Sequence, residues 1–179
     1  MNKKYYYKGF TVLEFLIVLS IILVLIAIIL PNLQKARERS VDEKKISDIK
    51  TISLGIEQFK QACGTYPSSM DPLIACGDDA TGNNNLGKFI PEISQYNFTN
   101  SSEPNYITYV PFALGSDDSE CIAFHLGITL KNEITGIFQN GDANFDSTPN
   151  IGFPYILCGD SSATGFNGSQ EYIYDIFKQ

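Results

Sequence analysis

Hydrophobic and polar positions divide the chain into three successive patterns. From Phe10 to Leu30 the sequence FTVLEFLIVLSIILVLIAIIL is apolar apart from Thr11, Glu14 and Ser20. As an α-helix these 21 residues extend about 32 Å at ~1.5 Å per residue, which matches the ~30 Å hydrocarbon core of a bilayer. From Gln34 to Gln61 the pattern changes period. Ile46, Ile49, Ile52, Ile56 and Phe59 recur at spacings of three and four, the stripe of an amphipathic helix. The intervening charges Arg37, Glu38, Arg39, Asp42, Glu43, Lys44, Lys45, Asp48 and Lys50 read as its solvated faces. Gly55 weakens this helix by ~1 kcal/mol relative to alanine. The helix is expected to end near Cys63-Gly64, with Pro67 beyond.

Residues 64–105 are rich in Gly, Pro, Asn, Ser and Asp, the composition of turns. Short helical pieces are expected at Met70–Cys76 and Leu86–Ile90. Strand patterns follow. Tyr106–Leu114 is β-rich, although Pro111 argues for an edge position or a strand end. Over Cys121–Leu130, Ile122, Phe124, Leu126, Ile128 and Leu130 alternate with Cys121, Ala123, His125, Gly127 and Thr129. The first set is expected to meet the helix stripe, leaving the second on the opposite face. Tyr172–Phe177 reads as a last strand. A long helix followed by an antiparallel sheet is an α+β pattern.

The apolar run admits three readings. A cleaved secretory signal is disfavoured, because the run is too long and continues as PNLQKARERS with no small-residue cleavage site. A plain membrane anchor satisfies hydropathy alone, with the basic leader held on the cytoplasmic side. Glu14 distinguishes the third reading. A carboxylate five positions into an apolar run is costly, and a plain anchor has no use for it. Cleavage after Gly9 would make Phe10 a new N-terminus, whose ammonium could pair with the Glu14 carboxylate of a neighbouring subunit. Breaking such a buried pair costs ~3–5 kcal/mol, enough to set register.

The basic leader, Gly9, then Phe10-Thr11-Val12-Leu13-Glu14 and the apolar run closely resemble the class III signal of type IV pilins and of the pseudopilins of type II secretion. Pro31 falls where that family has its mid-helix proline. On its own physics it removes a helix hydrogen bond and crowds the carbonyl of Ala27, so it either ends the membrane helix or bends it. The resemblance implies a division into a cleaved leader at 1–9, a transmembrane and filament-core helix at 10–33, and a periplasmic or extracellular head at 34–179. It implies cleavage between Gly9 and Phe10 and N-methylation of Phe10 by a prepilin peptidase. It implies assembly through Glu14 and Pro31 into a helical filament of the same chain, served by an assembly ATPase and a platform membrane protein. The location implied is the inner membrane before assembly, then an extracellular pilus or a periplasmic pseudopilus. A pseudopilin of a secretion or DNA-uptake system is the alternative function.

Charge and cysteines narrow the head. Loss of the leader removes Lys3, Lys4 and Lys8 and no acid, so 13 basic residues become 10 against 20 acidic, and the net charge goes from −7 to about −10. Such a body lacks the basic surface that supplies most nucleic-acid affinity. Cys63, Cys76, Cys121 and Cys158 form no CxxC pair and His125 is the sole histidine, which argues against zinc. An even count behind an export signal suggests two disulfides. Of three connectivities, pairing nearest in sequence is expected, Cys63 with Cys76 and Cys121 with Cys158.

Gly141-Asp142-Ala143-Asn144-Phe145-Asp146 places three oxygen-bearing side chains at alternate positions, like the opening of a calcium loop. It is not an EF-hand: Ser147 replaces the glycine and Phe153 stands where the glutamate belongs. Asp160 is the candidate to complete an irregular site of Asp142, Asn144, Asp146 and Asp160. Major pseudopilins hold calcium in a C-terminal loop, so the resemblance points the same way. A solvated turn with Asx-type hydrogen bonds is the alternative. No other cofactor is expected. His125 is expected at a surface or an interface. No nucleophile–base pair or phosphate loop stands out, and the chain is not expected to be an enzyme.

Overall fold

The computed structural model describes residues 9–76, 84–99, 101–103, 106–114, 120–133, 136–148, 155–158, 164–170 and 172–179. It divides into two compact units, Met1–Ser40 and Val41–Gln179, each treated by itself below.

One helix, α1 (Val12–Cys63), carries both the apolar run and the amphipathic stripe. In the first unit every described side chain from 9 to 40 is exposed. The helix there is long and apolar enough to cross a membrane. Pro31 lies inside α1 and does not end it. Ala27 therefore keeps a carbonyl without its usual donor, and the Asn32 amide adds a bond to the Ile28 carbonyl at 3.2 Å one turn back.

In the second unit α1 packs on a four-stranded antiparallel sheet, so the α+β reading holds. Its strands are β1 (Ile107–Leu114), β2 (Ala123–Thr129), β3 (Tyr155–Leu157) and β4 (Ile173–Lys178), in the order β3-β1-β2-β4. The stripe Ile46, Ile49, Ile52, Ile56 and Phe59 forms one core with Phe124, Leu126, Ile128 and Leu130 of the β2 region and with Tyr174 and Ile176 of β4. Gly55 has a specific use in that core. A Cβ at this position would collide with the Ile90 side chain, so the glycine lets the chain around α2 (Leu86–Phe89) lie directly on the helix.

Pro111 sits within β1, an interior strand, and not at an edge as its type suggested. Its carbonyl accepts from Cys158 N at 3.1 Å, so its missing N–H faces β3 where β3 has already ended. The ladder loses one bond at a place where the neighbour is short. Leu86–Phe89 is helical, but Met70–Cys76 is not. Asp71 there accepts from Leu73 N at 2.8 Å, and this local bond competes with a helix. Both cysteine pairs form as expected, Cys63 with Cys76 and Cys121 with Cys158.

Two supposed surface charges are buried. Asp42 is wholly inaccessible and accepts from Lys131 N at 3.0 Å, Asn132 N at 3.0 Å and Asn132 Nδ2 at 2.6 Å. One turn on, Lys45 Nζ donates to the Thr129 carbonyl at 2.9 Å. Together they clasp the turn that leaves β2, satisfying donors and an acceptor that the ladder no longer reaches. Removing the carboxylate should cost about 3 kcal/mol, the scale of a lost charged hydrogen bond plus orphaned donors. Urea unfolding of Asp42→Ala in detergent, followed by tyrosine fluorescence, measures it. A loss under about 1 kcal/mol would mean that the clasp is dispensable.

Candidate functional site

Two places carry chemistry. The first is the start of α1. Gly9 and Phe10 are exposed and lie outside the helix, so the predicted scissile bond is in non-helical chain. Thr11 is the helix cap. Its Oγ1 accepts from Glu14 N at 3.2 Å and donates to Glu14 Oε2 at 2.9 Å, and Oε2 also accepts from Thr11 N at 3.0 Å. This is a capping box, which satisfies backbone donors at both of its ends. Thr11 was passed over in the sequence, although T-x-x-E before an apolar run is the signal for this arrangement. In the single chain, then, the Glu14 carboxylate is held by its own Thr11.

The second place is the outer face of the sheet, opposite α1. His125 belongs to the face expected to be solvated, yet it is fully buried. Two segments, 143–148 and 164–170, cover it. His125 stacks on Phe166 with centroids 3.8 Å apart and meets the edge of Phe145 at 5.0 Å. Its Nε2 lies 2.8 Å from Asp175 Oδ2 and its Nδ1 2.7 Å from Ser147 Oγ. Burial pushes the imidazole down, opposed by the hydrogen bond to Asp175 and by its charge. Burial alone would raise Asp175, but hydrogen bonds from His125, Asp142 and Phe145 outweigh it and leave this carboxyl below its ordinary range. A neutral ring donating from Nε2 to an ionised Asp175 satisfies both, with the Ser147 hydroxyl set between Nδ1 at 2.7 Å and the Phe166 carbonyl at 3.1 Å.

Serine, histidine and aspartate in a hydrogen-bonded row are the residue types of a nucleophilic triad. Here the row is closed off. Ser147 is 8% exposed, and its Oγ already accepts from Phe166 N at 2.9 Å. The row fastens two loops to the sheet. Asp175 Oδ1 accepts from Asn144 N at 2.9 Å and Oδ2 from Phe145 N at 3.0 Å. Asp142 Oδ1 accepts from Asp175 N at 3.0 Å. Gly168 is required beside this carboxylate, because a Cβ there would collide with it. Neither Ser147 nor Asp175 was singled out in the sequence. Their partners lie far along the chain, and the one local sign is an aspartate inside the strand pattern YIYDIF.

Two of the candidate calcium ligands are engaged by the protein's own donors. Asp142 turns to Asp175 N, while Asp146 Oδ1 accepts from Thr148 N at 2.9 Å and Thr148 Oγ1 at 2.7 Å. Asn144 adopts a positive φ of 50°. Asp160 lies outside the described residues. Among the described residues no group of three or more His, Cys, Asp or Glu side chains is placed to hold a metal ion.

Comparison with known proteins bears on the first place. Residues 4–30 match the model of the prokaryotic N-terminal methylation motif. Over its N-terminal part the chain is similar to type IV pilins and to the pseudopilins of type II secretion. Among its relatives is the type II secretion system core protein G of Pectobacterium carotovorum subsp. carotovorum, 34% identical over 71 residues, or 40% of this chain and 46% of that one. The protein of the same name in Escherichia coli (strain K12) is 34% identical over 66 residues, 37% of this chain and 46% of that one. The type IV wide pilus major component PilA4 of Thermus thermophilus is 35% identical over 74 residues, 41% of this chain and 56% of that one. The chain thus spans about half the length of the curated relatives it matches. No solved structure matches it.

Asp142 gives this pilin-like head a pH signature. Its carboxyl is raised to about 7, chiefly by burial, against a backbone hydrogen bond from Asp175 that lowers it and a side-chain contact with Asp175 that raises it. The folded chain therefore holds a proton there that the unfolded chain releases near pH 4, and the fold loses stability as pH rises from about 4 to about 7 through this group. Asp142→Asn keeps the acceptor without the titration. Its melting temperature relative to wild type should be higher at pH 8 than at pH 5 in parallel thermal scans. An offset that does not change with pH would show that Asp142 titrates normally.

Proposed function

We propose that this chain is the structural subunit of a type IV pilus-like filament, made as a prepilin. The observation that carries the reading is the match over residues 4–30 together with an apolar helix start whose every side chain is exposed. In the precursor, lipid covers Phe10–Leu30. In the filament, the same side chains contact neighbouring copies. Cleavage between Gly9 and Phe10 frees an ammonium, and a peptidase that also N-methylates Phe10 performs it. The Glu14 carboxylate exchanges Thr11 for the Phe10 ammonium of a neighbour, which fixes axial register. Pro31 supplies the point at which α1 yields during assembly. An assembly ATPase and a platform membrane protein drive the transfer from the inner membrane. The head then faces the periplasm or the exterior.

A second reading is a pseudopilin of a type II secretion or DNA-uptake system. It is favoured by the relatives named as type II secretion core protein G. Both readings share the processing step and differ in where the filament ends.

Mass spectrometry of sheared filaments should show a subunit that begins at N-methylated Phe10. Glu14→Ala should leave cleavage intact and reduce sheared filament to background on immunoblots. A chain purified with Met1 still in place would reduce the segment to a plain anchor.

A further inference from the structure

We infer that the 142–147 loop of the head is fastened by the protein's own N–H donors in the place where the family resemblance leads one to expect calcium. The inference rests on the family reading only for the expectation it departs from. A calcium ion needs six to eight oxygens with lone pairs directed at it. In this loop Asp142 Oδ1, Asp146 Oδ1 and the carbonyls of Asn144 and Phe145 each accept from an N–H or O–H of the protein itself.

Asp175 is the centre. Three N–H groups converge on its carboxylate: Asn144 N at 2.9 Å, Phe145 N at 3.0 Å and His125 Nε2 at 2.8 Å. Each brings partial positive charge to the oxygens from the direction a cation would approach, so these donors and a cation compete for the same lone pairs. The surroundings complete the fastening from both sides. Asp175 N goes to Asp142 Oδ1 at 3.0 Å, and Ala143 N to the Asp175 carbonyl at 3.0 Å. Gly168 N binds the Phe145 carbonyl at 2.8 Å, and Ser169 Oγ the Asn144 carbonyl at 3.0 Å. The Asp146 oxygen that would open a second ligand position serves the Thr148 turn. Asp175 thus holds 142–147 as a bound ion would, as a single centre with several radial contacts, but with the sign reversed: an anion gathers donors where a cation gathers acceptors.

His125 is the positioning residue of this centre. It comes from the neighbouring strand, where the register sets Gly127 opposite Asp175 and His125 opposite Phe177. The ring therefore reaches Asp175 diagonally across the ladder, and its stacking on Phe166 ties in the second covering segment.

The test uses the full-length chain in detergent, compared in EGTA and in millimolar calcium. The expected result is one melting temperature in both buffers. In EGTA the His125 Nε2–H should be visible by NMR as a protected resonance coupled to the ring nitrogen, and the amides of Asn144 and Phe145 should exchange slowly. Asp175→Asn should speed exchange of those two amides by roughly ten-fold or more and leave the Leu126 and Ile128 amides protected. Should that variant fail to fold, the wild-type readings in EGTA decide. A calcium-dependent rise in melting temperature that Asp142→Asn abolishes would overturn the inference, as would protection of Asn144 and Phe145 only when calcium is present. Neither outcome touches the N-terminal processing step, which is read from the mass of the filament subunit.

Discussion

The exposed apolar half of α1 is the constraint on which everything else depends. Burying a large aliphatic or aromatic side chain is worth ~1.5–3 kcal/mol, and from Phe10 to Leu30 such side chains stand almost without interruption, each of them exposed. In the proposed function a bilayer, and then a bundle of neighbouring copies, supplies the cover that these side chains call for. The carboxylate within this segment is tolerable because the capping box with Thr11 satisfies it locally. That also leaves Glu14 near a helix end, where a second partner can reach it.

The head meets a different demand. A helix covers one face of its sheet, and an antiparallel sheet often leaves the other face to water. Here β2 is buried on both faces. The face opposite α1 has Val110, Phe112 and Ala123 as a small apolar cluster, with Tyr155, Phe166 and Phe177 against it. Its polar members are held in the row Asp175–His125–Ser147. Loops cover this face, and loops carry many backbone N–H groups. A buried carboxylate that can accept several of them is the economical partner, since each donor left unpaired would cost ~1–3 kcal/mol.

The elements and the inner core were legible in the sequence because their signals are local. Ile46, Ile49, Ile52, Ile56 and Phe59 announce a helix face by spacing alone, and Phe124 to Leu130 announce a strand face in the same way. What failed was the converse rule that polar positions point outward. Asp42, Lys45 and His125 were read as surface residues, yet each is buried with partners 22 to 90 positions away. Hydropathy records the side chain's own preference and is silent about a distant partner that overrides it. Pro111 failed for a related reason. Its strand is interior, but the neighbour it faces is only three residues long. At the N-terminus the reverse held. Glu14 and Thr11 both stand out against the apolar pattern, but only Glu14 was given a role, and Thr11 is its partner.

In the proposed filament the two disulfides acquire a mechanical meaning. Cys121–Cys158 joins the start of β2 to the end of β3 across 37 positions, and Cys63–Cys76 closes 13 positions at the end of α1. Chain between bridged cysteines cannot be drawn out by tension applied outside the bridge. At ~3.4 Å per extended residue, about 170 Å of contour is withheld from stretching. The short edge strand β3, the element with fewest ladder partners, lies inside the larger withheld segment. A pulled subunit would yield elsewhere and keep this edge in place, so that extension under load is limited by covalent bonds before it is limited by packing.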